Sequence, residues 1–171
     1  MSLSMFNASI PLLMQGLNNL LVILGKAETF AEQKKVASDV MAASRLAIDM
    51  VPLTRQVQIA CDTAKGCGAR LSGQDNPSFA DDETNLQELQ ARVRKTLAFL
   101  EQLHAEQFEG SEDKAIVLNF PSITLNFNGQ DYLTQFVLPN FYFHLTTAYG
   151  ILRHIGVDLG KRDYLGKVGG V

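Results

Sequence analysis

The sequence predicts an all-α protein, a four-helix bundle with one small β-hairpin inserted between helices 3 and 4. Three observations predict it. Four long stretches repeat apolar residues every three or four positions, the period of a helix with one buried face. One short stretch, about 115–127, alternates instead on either side of Pro121-Ser122, as a hairpin does. The 171 residues, 46% hydrophobic and 19% charged, suffice for one full core and fall short of two ordinary domains, so 1–171 reads as a single domain.

The first helix is predicted over about 4–26, its stripe formed by Ile10, Leu13, Leu17, Leu20, Leu21 and Leu24. Pro11 either starts that helix or kinks it, and a kink is the expectation taken here. Lys34 to Ser44 reads as a short helix or turn. The second long helix, 52–71, opens on Pro52, a favoured first-turn residue, and stops at Gly73. Val57, Ala60, Cys61, Ala64, Gly68 and Leu71 give it a narrow face of mostly small residues, while Arg55, Gln58, Asp62 and Lys65 form a separate polar stripe. The third helix, 83–104, carries Leu86, Leu89, Val93, Leu97, Leu100 and Leu103, with Thr84 and Gln87 as its expected capping box. The fourth, 130–156, contains Pro139, which predicts a bend just upstream of His144. A glycine-punctuated tail, 157–171, is expected to fold back on the bundle through Tyr164 and Leu165.

Composition excludes several classes of function. Fifteen basic residues are scattered among 18 acidic ones, for a net charge of -3, so no nucleic-acid partner is expected. The apolar run from Ile10 to Leu24 is broken by Gln15, Gly16, Asn18 and Asn19, and is read as neither signal peptide nor membrane span. Cys61 and Cys67 point about 120° apart on one helix, which prevents their pairing there; they read as reduced thiols of a cytoplasmic protein. No G-x-S-x-G is present, and Gly160-Lys161-Arg162 lacks the order of a phosphate loop.

Candidate site residues lie on the second and fourth helices. Asn140, His144 and Thr147 stack along one side of the fourth, and His144 is either a buried hydrogen-bonded group, part of a ligand pocket, or the remnant of a metal site. Asp49, Arg55, Gln58, Asp62 and Lys65 either line a polar cavity facing Asn140 and His144 or form a solvated stripe. His154 is rotated about 80° from His144, too far for both to share one metal on a straight helix. His104 is expected at the surface.

The run Pro139-Asn140-Phe141-Tyr142-Phe143-His144, with Leu152-Arg153-His154-Ile155-Gly156-Val157 and Gly160-Lys161-Arg162-Asp163-Tyr164-Leu165-Gly166, resembles a bacterial domain-of-unknown-function family within the DinB/YfiT-like superfamily of four-helix bundles. Arg45-Leu46, Arg55-Gln56-Val57-Gln58, Asp62 with Ala64-Lys65, and Pro77-Ser78-Phe79 fit the same family, so the resemblance covers nearly the whole chain. It implies a DinB-like bundle with a pocket between the second and fourth helices. In the wider superfamily such pockets often hold zinc or nickel on three histidines, one from the second helix and two from the fourth as H-x-x-x-H, and some members are thiol-dependent transferases or hydrolases. His144 matches the last histidine; Asn140 occupies the position four residues earlier, and the second helix has none, offering only Gln58 and Asp62. Amide oxygens are weak ligands for these metals, so no metal cofactor is expected.

The expected function is therefore that of a small-ligand-binding or structural homodimer, with Asp49, Arg55, Gln58, Asp62, Asn140 and His144 around the pocket. The alternative is a metal-dependent or histidine-based hydrolase or transferase, with His144 and Asp62 as catalytic groups or, with zinc or nickel, as ligands. The dimer is expected because Phe136, Phe141, Tyr142, Phe143 and Tyr149 surround the last helix too widely for one core face. Its interface is placed on the hairpin or on the first and fourth helices.

Overall fold

A computed structural model describes residues 3–167. Its elements are α1 (Ile10–Lys34), α2 (Ser38–Ala43), α3 (Leu53–Ser72), α4 (Leu86–Leu100), the antiparallel pair β1 (Ile116–Phe120) and β2 (Ile123–Phe127), then α5 (Gly129–Asp131), a π-helical segment Tyr132–Val137, α6 (Leu138–His154) and α7 (Lys161–Leu165). The four long helices form a ring in the order α1, α4, α3, α6. The first and second long helices are thus diagonal partners, as are the third and fourth, and the connections cross the ends of the bundle. The hairpin lies beside the second crossing, with Ile116 and Leu118 turned into the core.

The start of α1 corrects the kink expectation. Pro11 sits in the first turn, where its missing N–H removes no helical bond, and the residues before it form a separate turn that Ser9 ties to the Met5 carbonyl at 2.6 Å. The helix then runs past residue 26 to Lys34 and stops where Lys35 adopts a left-handed conformation, φ 56°. By length and composition α1 would cross a bilayer, but Leu13, Leu17, Leu20, Ile23 and Leu24 are packed at 0% exposure in the core.

α3 begins after Pro52 and ends at left-handed Gly73, as the punctuation predicts. α4 is shorter than its apolar repeat. Asn85, one residue after the expected cap, accepts from the Glu88 N–H at 2.9 Å, and the Glu88 carboxylate accepts from Thr84 N–H at 2.6 Å. At the other end, His104 is extended and exposed, its N–H donating to Gln107 at 2.7 Å to open a 3-10 turn, so the helix does not reach residue 104.

Pro139 acts through a π-helical segment. It cannot donate to the carbonyl four residues back, and the turn just before it widens until the Leu138 N–H bonds to Leu133, five residues earlier. The tail returns to the bundle as α7. Tyr164 anchors it by a 2.8 Å bond to Thr146 and by an edge contact with Tyr149, whereas Leu165 is 41% exposed and its carbonyl accepts from Gln15. Residues 168–171 of the expected tail lie outside the described residues.

Candidate ligand-binding cleft

His144 meets a residue that the sequence pattern did not single out. Its Nδ1 lies 2.7 Å from Oε1 of Gln56, and the Gln56 Nε2 donates to the Val51 carbonyl at 3.1 Å. The second bond fixes the amide's orientation, so Oε1 is the acceptor and the neutral imidazole carries its proton on Nδ1. Both side chains are buried, Gln56 at 1% and His144 at 9% exposure. Burial, reinforced by the positive charge of Arg55, holds the His144 pKa below the ordinary histidine value. Asn140, one turn earlier, donates to the Thr63 hydroxyl at 2.8 Å, and Thr63 in turn donates to the Ile59 carbonyl at 2.7 Å.

The polar stripe of α3 belongs to a different network, centred on Arg92 of α4. The Arg92 side chain is 1% exposed and reaches Asp62 at 2.9 Å, Asp81 at 3.1 Å and Glu83 at 3.0 Å. It also donates to the Ala80 carbonyl at 2.7 Å. Gln58 donates to Glu83 at 2.8 Å, Arg55 pairs with Asp81, and Lys65, 5% exposed, bonds Asp62 at 3.1 Å and the Pro77 carbonyl at 2.7 Å. Phe79 lies under Lys65 and Lys95, each 4.2 Å from its ring centre. These bonds strap the segment before α4 across the outside of α3. Burial alone would raise the Asp81 pKa, but its pairing with Arg55 and Arg92 holds it below the usual carboxylate range.

Between α3, the π segment, α6 and β1 lies a cleft of about 430 Å³. Its lining combines polar Arg55, Asp62, Thr63, Arg70 and Asn140 with apolar and aromatic Ile59, Leu118, Phe120, Tyr132 and Phe136. The widened turn before Pro139 places Tyr132, Phe136 and Asn140 together on this cleft. A larger hollow, about 570 Å³, opens near Met5 and the 3-10 turn Ala105–Phe108, and none of the site residues named above lines it.

Of the residues selected from sequence, Arg55, Asp62 and Asn140 line this cleft together. Gln58 turns away to Glu83, and Asp49 is exposed in the turn between α2 and α3. His144 is held by Gln56 and is absent from the cleft lining, so His144 and Asp62 do not face one another across it. The sequence pattern does not mark Arg70, Tyr132 and Phe136 as pocket residues, yet all three line the cleft. A three-histidine metal site does not fit these residues: His144 is the one imidazole among them, Asn140 brings only an amide oxygen, and one oxygen of Asp62 serves both Lys65 and Arg92. Among the described residues no three His, Cys, Asp or Glu side chains group as a metal-binding set. Cys61 and Cys67 are buried free thiols, and burial pushes each pKa up to about 12.

The comparisons agree with this architecture. A family model described as "Domain of unknown function (DUF1993)" matches residues 5–165. A crystal structure of a DinB family member protein from Shewanella denitrificans is 45% identical, covering 95% of this chain and 92% of its own, with a TM-score of 0.85. No curated protein matches the chain.

Proposed function

Since the chain belongs to the DUF1993 family and has the fold of a DinB family member, we propose that it is a small-ligand-binding bundle, working as a homodimer in the bacterial cytoplasm. The observation that carries the reading is the cleft beside α3, about 430 Å³ and lined by polar and aromatic side chains together, the size and mixed lining of a small-molecule site. Two further features support the cellular setting and the assembly. Both cysteines are free, as expected in a reducing compartment, and Val22 of α1 at 54% and Phe143 of α6 at 57% exposure are apolar side chains left uncovered on the two helices where the interface is placed. The test is a thermal-shift screen of a chemically diverse fragment library. The reading predicts hits whose stabilisation disappears in Phe136→Ala and persists in His104→Ala; a library with no Phe136-dependent hit contradicts it.

One observation favours a second reading. The Gln56 bond to Nδ1 leaves the Nε2 lone pair of His144 as the basic nitrogen, the tautomer a histidine-based hydrolase or transferase would use. Turnover of a cleft ligand that is abolished in His144→Gln, with binding retained, would move the assignment to that class.

A further inference from the structure

Resting on the ligand-binding reading, we infer that the cleft takes a small carboxylate with an apolar body, its carboxylate held by Arg70, which Tyr132 positions. Arg70 is the cation in this cleft that has no acidic partner: Arg55 is paired with Asp81, whereas Arg70 takes part in no ion pair among the described residues. Its Nη1 donates to the Tyr132 hydroxyl at 3.1 Å. Tyr132 is itself 1% exposed, so the phenol holds the guanidinium in place while the remaining guanidinium N–H groups form the fork suited to one carboxylate.

Gly66 sets this placement. Arg70 folds back along α3 over the preceding turn, and a Cβ on Gly66 would collide with its Nη1. The glycine costs α3 helix propensity in the middle of a helix, and what it admits is a guanidinium at the cleft wall, with the Tyr132 hydroxyl 3.8 Å from the Cβ position. Asp62 lies one turn before Gly66 and lines the same cleft, so the negative end of a ligand is directed toward Arg70 and away from Asp62. Phe120 and Phe136, 6.3 Å between ring centres, supply apolar lining for the ligand's body.

The experiment uses three probes of one shape, 3-phenylpropionate, 3-phenylpropanamide and 3-phenylpropylamine, titrated into ¹⁵N-labelled full-length protein. The expected result is shifts at Thr63, Gly66 and Asn140 with the carboxylate binding tightest. Arg70→Gln should weaken it by about tenfold or more without changing amide binding, the loss expected for a charged hydrogen-bonded contact. Gly66→Ala keeps the charge and moves it; it should weaken carboxylate binding comparably while the ¹⁵N spectrum remains that of the folded protein. Carboxylate affinity unchanged in both variants overturns the inference, as does amide binding equal to carboxylate binding in the wild type. If the fragment library yields Phe136-dependent hits but none of these probes shifts the cleft, the ligand class fails and the binding reading stands; if neither binds there, both fail.

Discussion

His144 on α6 and Gln56 on α3 are joined by a 2.7 Å hydrogen bond between side chains that are both buried, 88 positions apart in the chain. The bond joins two of the long helices at the level where the superfamily resemblance would place a metal.

Removing one side of that bond leaves a buried polar atom without a partner. His144→Ala should therefore destabilise the fold by about 1–3 kcal/mol, and His154→Ala and His104→Ala, at exposed positions, by less than about 0.5 kcal/mol. Urea denaturation of the three variants checks this. A His144→Ala, Gln56→Ala cycle should show coupling of at least about 0.5 kcal/mol.

The lowered pKa of His144 gives a pH dependence with a definite sign. In the unfolded chain the ring takes up a proton near its ordinary value of about 6.5, whereas in the fold, desolvation first and then Arg55 postpone that step to lower pH. The stabilisation is complete above the unfolded value and is lost as pH falls from there through the folded value. Denaturation midpoints between pH 7.5 and about 5 should fall less steeply in His144→Gln than in the wild type; parallel profiles would show that the imidazole does not titrate differently on folding.

Arg92 holds three carboxylates from a side chain that is 1% exposed. Arg92→Met should cost about 3 kcal/mol, near the lower end for breaking a buried pair, because Asp62 keeps Lys65, Asp81 keeps Arg55 and Glu83 keeps Gln58. Arg92→Lys should recover only part of this, since one ammonium cannot reproduce the guanidinium fork. Chemical denaturation measures both.

Two glycines should respond in opposite directions to the same substitution. A Cβ at Gly129 would overlap the main-chain carbonyl of Ser111, which cannot swing aside as a side chain does, so Gly129→Ala should cost about 3 kcal/mol or more. Gly25 lies inside α1 with nothing within 4 Å of its Cβ position, and Gly25→Ala should stabilise by about 0.5–1 kcal/mol. Calorimetric melting of the pair checks the signs.

These relationships were unequally legible in the sequence. The helix period, Pro52 and Gly73 at the ends of α3, and the alternation around Pro121-Ser122 are local signals, and the fold follows from them. The start of α1 is ambiguous in the sequence because a proline stands equally well in a first turn or at a kink. Gln56 continues the small-residue face of α3 one turn before Ala60, a signal that could have marked it as interior, yet nothing local ranks it above Gln58 as the partner of His144. Arg70 was legible only as a charge near a helix end; its folding back over Gly66 toward Tyr132 depends on a helix 62 residues away. The π segment likewise arises from how Pro139 is accommodated, which the apolar period does not encode.

The most direct test of the central claim, that ligand binding belongs to the cleft and His144 to the packing beside it, is a chemical-shift map of one confirmed library hit on ¹⁵N- and ¹³C-labelled protein. The account predicts shifts concentrated at Ile59, Thr63, Phe136 and Asn140, with the imidazole signals of His144 unchanged. Shifts centred on His144 and Gln56, with the cleft residues unmoved, would contradict it.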